Sequence, residues 1–258
     1  NIPKDKITFN SDIQGIYQNR DIKIKIKDKK EIVTDYLAIC DGIFSKSKYL
    51  VTDTKKNIKF YKSVALRGTL KNVNNRDISI YLGSNFHFVT YAVNQNHEFN
   101  FISIIRENDL KKVQLSNQNQ LIKNYINFLS SNTSLEFKNN IENLSIYPVF
   151  VSKKFIAPKN KNIYFAGDAL FSFPPSFAQG ASQSIETAYE IFKNLEGEER
   201  NYHSNREIKT KTVKFRSEFN HFAFHVSNPL TVFIRNITLK YLSKNNRFLE
   251  YYLGRIYR

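Results

Sequence analysis

The 258-residue chain has a single cysteine, Cys40, and neither methionine nor tryptophan. One cysteine excludes an intrachain disulfide. Its setting, Tyr-Leu-Ala-Ile-Cys, predicts a small buried strand residue in a reducing compartment. No apolar run approaches the roughly 18 residues of a membrane span. The opening Asn-Ile-Pro-Lys-Asp-Lys holds no apolar signal core, and the expected location is cytoplasmic. Methionine is missing even at the first position, in sequence that already reads as strand, so the chain is expected to be a piece of a longer protein. Among the eight glycines no pair is spaced Gly-x-Gly. The dinucleotide fingerprint Gly-x-Gly-x-x-Gly is therefore not in this sequence.

Acidic residues are also in short supply, 23 against 39 Lys and Arg, for a formal charge of +16. Such an excess attracts polyanions or anionic membranes. The lysines are spread along the chain, however, and neither zinc-finger spacing nor an RNA-binding aromatic signature accompanies them, so no nucleic acid partner is expected.

What is present is a mixed pattern. Asp-Ile-Lys-Ile-Lys-Ile-Lys alternates as a strand with one wet face must. Tyr36 to Cys40 is a mostly apolar run that suits a strand covered on both faces. Four strand-like segments follow between Phe60 and Glu107, spaced like an antiparallel sheet. Val113 to Leu144 reads as one or two amphipathic helices. A helix is expected from Ala181 to about Leu195, with Ile185, Ala188, Ile191 or Phe192, and Leu195 on its buried side. A long polar helix should run from Glu198 towards His221. After the break at Asn228-Pro229, helical sequence resumes. Its basic, aromatic end is read as a helix packed on the core, with a membrane surface as the less favoured alternative. Glu218, His221 and His225 share one helix face, where histidines hydrogen-bonded into the core are expected rather than a metal site.

The densest chemistry lies in Asn162 to Ser184, Asn-Ile-Tyr-Phe-Ala-Gly-Asp-Ala-Leu-Phe-Ser-Phe-Pro-Pro-Ser-Phe-Ala-Gln-Gly-Ala-Ser-Gln-Ser. A buried strand ending in Gly167-Asp168 puts a carboxylate where open α/β sheets bind ligands. Pro174 and Pro175 stiffen the loop. Gly180 opens a helix whose first amides favour negative charge. The set suits an anionic, hydroxyl-bearing cofactor.

This segment closely resembles the Gly-Asp motif of the FAD-dependent aromatic hydroxylases, the single-component flavoprotein monooxygenases. Gly167, Asp168, Ala169, Pro175, Gln179 and Gly180 fall on it in register; Leu170 and Phe171 stand where the family often has Ala and His. Cys-Asp-Gly-Ile-Phe-Ser-Lys-Ser-Lys is similar to the family's Asp-Gly motif, matching at Asp41, Gly42 and Ser45, with Lys48 on the usual Arg. The middle of the chain resembles substrate-domain strands of the salicylate hydroxylase-like branch, with Arg67-Gly68 on an Arg-Gly pair and Tyr91 on a Tyr there.

The resemblance implies a partial FAD/NAD(P)-binding, Rossmann-like α/β domain joined to an α+β substrate region built on an antiparallel sheet, then C-terminal helices. The expected segments are 1–50 and 156–197 for the FAD domain, 51–155 for the substrate domain and 198–258 for the helices. It also implies a monooxygenase that uses FAD, NADH or NADPH and O2 to hydroxylate a small phenolic or other aromatic substrate through a flavin C4a-hydroperoxide. Asp41, Gly42, Gly167, Asp168, Pro175, Gln179, Gly180, Ala181 and Ser182 would contact the cofactor; Arg67, Tyr91, Phe173 and Pro174 would lie towards the substrate. A ubiquinone-biosynthesis-type hydroxylase at a membrane surface and a non-catalytic remnant of the fold are the alternatives.

Overall fold

The computed structural model describes residues 2–52, 54, 56–70, 77–93, 98–115, 117–133, 141–198, 201–254 and 256. In chain order it runs β1 (Ile13–Gln18), β2 (Ile22–Ile26), β3 (Ile32–Thr34), β4 (Leu37–Ile39), α1 (Ser47–Val51), β5 (Ile58–Leu70), β6 (Ser79–Gly83), β7 (Phe86–Ala92) and β8 (Phe99–Arg106). Then come α2 (Leu110–Leu115), α3 (Gln118–Asn132), β9 (Ile141–Ser152), β10 (Ile163–Phe165), α4 (Gly180–Leu195), α5 (Tyr202–Phe224), α6 (Pro229–Leu242) and α7 (Asn246–Leu249). The chain divides into two compact units. Unit 1 is Asn1–Lys59, Val151–Phe173 and Gln179–Thr210; unit 2 is Phe60–Phe150, Pro174–Ala178 and Lys211–Arg258.

In unit 1, β1, β2 and β3 form an antiparallel meander. Ile22, Ile24 and Ile26 are buried while Lys23 and Lys25 between them are exposed, so the alternation in sequence becomes one dry and one wet face. The dry face joins Ile39, Val51, Ile163, Phe165, Leu170 and Phe171 in one core. β4 and β10 pair in parallel, Leu37 to Ile163 and Ile39 to Phe165. β4 is not covered on both faces as its sequence suggested: only Ile39 is buried, and Ala38 and Cys40 point outward. Cys40 is exposed, which corrects the buried position expected of it. The two-residue period that turns Ile39 inward turns its neighbours out.

Unit 2 is built on a five-stranded sheet in the order β6-β7-β8-β5-β9. The four expected antiparallel segments are β5 to β8, paired throughout as antiparallel strands. The fifth strand corrects the sequence reading, which took Ile141 to Leu144 as helix. β9 lies at the sheet edge, where Pro148 is tolerated because its missing N–H costs no ladder bond. Residues 134–140 of the expected second helix lie outside the described residues. Gly68 is required where β9 crosses β5. A Cβ there would come within 2.9 Å of the Glu142 carbonyl oxygen, next to Asn143 with its φ of 53°.

α4 starts and ends almost as expected but presents the opposite face. Ile185, Ala188, Phe192 and Leu195 are exposed; Gln183, Thr187 and Ile191 are buried. The cause is Arg206 of α5, only 1% exposed, whose guanidinium needs polar partners. It donates to Gln183 Oε1 at 2.8 Å and Glu190 Oε1 at 3.1 Å, and Glu186 Oε1 stands 3.3 Å away. The inner face of α4 is polar because it solvates this buried cation. α6 departs further from expectation: none of its residues is buried, and only Val232, Arg235 and Leu242 are half-buried.

Candidate functional site

The site is assembled in unit 1 from two segments more than a hundred residues apart in sequence. The first is a tight turn at the end of β4. Ser45 N–H donates to the Gly42 carbonyl at 3.1 Å, Lys48 N–H to Ser45 Oγ at 2.9 Å, and Ser47 N–H to Asp41 Oδ2 at 3.2 Å. Asp41 and Ser45 thus satisfy amides at the start of α1, and Gly42 supplies a φ of 81°. The second segment is the turn after β10. Gly167 has φ 59°, and Leu170 and Phe171 N–H both donate to its carbonyl. A Cβ at Gly167 would also stand 3.2 Å from Ser184 Oγ on α4.

Lys48 joins the two segments. Its ammonium is buried and donates to the carbonyls of Ala169 at 2.8 Å and Leu170 at 3.2 Å, 5.2 Å from the Phe165 ring centroid. Burial pulls its pKa down to about 8, against the opposing pull of Asp41. Lys48 is therefore turned into the protein and spent on backbone carbonyls. Sequence reading placed it on the motif without giving it this role; a Lys three residues after the motif Ser was the signal.

Asp168 is exposed, and its restricted hydration raises the carboxyl pKa. α4 begins without a side-chain cap, Gln179 being its N-cap. Gly180 and Ala181 are exposed and Ser182 half-buried, so the helix start and its amides reach the surface. A Cβ on either Gly42 or Gly180 would meet no atom within 4 Å. Gln179 is buried, and Phe173 packs half-buried on Phe171, ring centroids 5.0 Å apart.

Unit 2 holds the other predicted residues. Pro174 is buried and Pro175 exposed. Arg67 and Tyr91 project from the same face of the sheet, since Thr69 and Tyr91 both pair with Asn100 and Arg67 lies two residues before Thr69. Arg67, Asn100, Asn143, Ser145 and Tyr147 line a cavity of about 220 Å³ with no carboxylate in its wall; Tyr91 is not part of it.

Further along that face lies a buried cluster of three histidines. Ser176 Oγ is 3.1 Å from His221 Nδ1, and Ser63 Oγ 3.4 Å from His221 Nε2. His87 Nδ1 is 2.8 Å from His225 Nε2, and the His221 and His225 rings are 4.1 Å apart. Burial holds all three below the ordinary imidazole value, His87 at about 3, His221 at about 4 and His225 at about 2. They are neutral, hydrogen-bonded residues of the packed interior, as the sequence reading expected of His221 and His225. His87 and Ser176 were missed; a lone His between two phenylalanines in a strand, and a Ser directly after the proline pair, were the available signals. Among the described residues no three His, Cys, Asp or Glu side chains are arranged to hold a metal ion.

The fold is that of the FAD-dependent hydroxylases, with a parallel-strand unit, an antiparallel sheet and C-terminal helices. Klebsiella pneumoniae HpxO, solved with FAD and uric acid, gives a TM-score of 0.75 at 12% identity over 93% of this chain and 64% of HpxO. A variant of HpxO with FAD covers 66% of that chain at 13% identity. A salicylate hydroxylase substrate complex gives 0.67 at 12% identity, over 92% of this chain and 68% of that one. The p-nitrophenol 4-monooxygenase PnpA of Pseudomonas putida gives 0.70 at 12%, over 95% and 66%. The chain thus spans less than two thirds of the length of HpxO. No protein-family model and no curated protein sequence matches it.

Proposed function

We propose that this chain is the flavin-contacting and substrate-holding part of an FAD-dependent, NAD(P)H-using monooxygenase that hydroxylates a small phenolic or other aromatic compound. The observation that carries the reading is the Lys48 tie. It fixes the Asp-Gly turn against the Gly-Asp turn in one unit, with Asp168 and the start of α4 at the surface. The residues present fit FAD. Asp168 offers an acceptor for ribitol or ribose hydroxyls. The free space at Gly42 and Gly180 lets a ligand approach the backbone. When bound, FAD supplies the redox and oxygen chemistry.

The roles of the protein's own groups follow from their chemistry. The first amides of α4, at Gly180, Ala181 and Ser182, would oppose negative charge on a flavin held there without reorganising. Gln179 and Pro175 shape the approach to that helix start, and Asp41 holds the neighbouring turn. Pro174, Phe173 and Pro175 exclude water on the substrate side. Arg67, in a cavity with no carboxylate in its wall, pairs with an acidic or electron-rich group of the substrate, and Tyr91 stands on the same sheet face outside that cavity. A planar substrate of the size of uric acid, the compound bound in the HpxO complex, suits this reading.

The test is flavin retention. The 258-residue chain, mixed with FAD and desalted, should keep flavin absorbance, and Asp168→Ala should weaken the affinity roughly tenfold or more, the value of a lost charged hydrogen bond. Unchanged affinity in that variant removes Asp168 from the cofactor. A folded chain that retains no FAD at all means that these residues alone do not suffice to hold the cofactor.

A further inference from the structure

α6 is a helix without a core. None of its residues is buried, and Leu230, Phe233, Ile234, Ile237 and Tyr241 recur at i, i+3, i+4, i+7 and i+11, one stripe of a helix. Phe233 is 62% exposed and Tyr241 72%. Just before it, Phe215, Phe219 and Phe222 of α5 form a second exposed stripe at i, i+4 and i+7. A helix of 14 residues is marginal in water when nothing packs on it. This one is started by its own residues: Asn228 Oδ1 accepts from Leu230 N–H at 3.0 Å and Thr231 N–H at 3.4 Å, and Pro229 occupies the first position.

The charge around the stripes selects what covers them. From Lys211 to Gly254 there are seven Lys and Arg, of which Arg216 is buried, and two acidic residues, Glu218 and Glu250. Lys240, Lys244 and Arg247 cluster at the end of α6 and beyond it, with Tyr241 and Tyr251 exposed among them. Tyrosines and basic residues bordering an apolar stripe match the headgroup level of a bilayer. A second copy of a chain carrying +16 would instead bring like charge to like. No helix among the described residues is long and apolar enough to cross a membrane.

We propose that α6, with the phenylalanine stripe of α5, docks this protein on an anionic lipid surface. The proposal is independent of the flavin reading. The 258-residue chain should co-sediment with vesicles of phosphatidylcholine mixed with phosphatidylserine, weakly with phosphatidylcholine alone, and less as salt is raised. Phe233→Ser/Ile234→Ser/Ile237→Ser should abolish binding while leaving the circular dichroism and unfolding temperature unchanged, because these side chains are exposed. Lys240→Gln/Lys244→Gln should weaken binding by roughly thirtyfold, a factor of five or so per charge. Failure to pellet with the anionic vesicles at low salt overturns the proposal, as does undiminished binding of the triple variant. So does a dimer, seen by sedimentation velocity, that the triple variant splits while vesicles bind neither protein; a second copy is then the occupant.

Discussion

On one face of the five-stranded sheet, Val64, Leu66, Phe88, Phe101 and Ile105 share a core with Leu121, Ile126 and Leu129 of α3. On the other face, one residue along the same strands, stand Ser63, Arg67, His87, Tyr91 and Asn100. The first face is mainly apolar; its buried polar residues, Ser103 and Thr90, are hydroxyls that carry no titrating group. The second is also buried at Ser63 and His87, yet it is polar there, and every polar group needs a partner. The difference teaches where this unit's chemistry can reside. Burial alone does not separate the two faces; the buried imidazole of His87 marks the one that answers to pH.

The largest way to break the comparison is acid. His87, His221 and His225 have folded-state pKa values of about 3, 4 and 2, below the 6.5 of the unfolded chain. Between those limits the unfolded state binds protons that the folded state refuses. Stability is therefore complete above about pH 6.5 and declines as pH falls towards 4. With up to three protons involved, the loss is on the order of several kcal/mol across that window. Chemical denaturation at a series of pH values checks it. His87→Asn should flatten the slope; a wild-type stability that does not fall between pH 6.5 and 4 refutes the neutral cluster.

The apolar face should respond to truncation instead. Phe101, fully buried with its ring 5.6 Å from that of Phe88, should lose about 3–5 kcal/mol on Phe101→Ala, through lost burial and the cavity left behind. The same variant should leave the acid slope unchanged, because it touches no titrating group. A steeper or shallower slope in Phe101→Ala would mean that the two faces are coupled through the sheet.

How much of this was legible in the sequence depends on whether neighbours in space were also neighbours in the pattern. β2 and the antiparallel run from β5 to β8 were readable because alternation is a local signal, written in each strand by itself. The Gly-Asp and Asp-Gly turns were readable because special residues sit at fixed short spacings. β9 was not, since its extended form is imposed by pairing with β5 and its sequence is polar and interrupted by Pro148. The buried face of α4 was misread for a related reason. The apolar period of Ile185, Phe192 and Leu195 is real, but a buried Arg206 from another helix decides which side turns inward. Cys40 failed by a single residue of strand register.

The smallest effect sharpens the comparison most. Arg67 shares the polar face but is exposed, and it lines the cavity with Asn100, Ser145 and Tyr147. A surface substitution away from buried networks changes stability within about 0.5 kcal/mol. Arg67→Ala should therefore unfold like the wild type and keep the same acid slope. If Arg67 pairs with the substrate, the variant of an active, FAD-loaded enzyme should raise KM roughly tenfold with little change in kcat, the mark of an interaction made equally in ground and transition states. An unaltered KM would leave the polar face with its histidine network and no substrate contact at this cavity. A fall in kcat alone would move Arg67 from holding the substrate to acting on the reacting centre. The face would then divide again, into a buried part that answers to protons and an open part that answers to substrate.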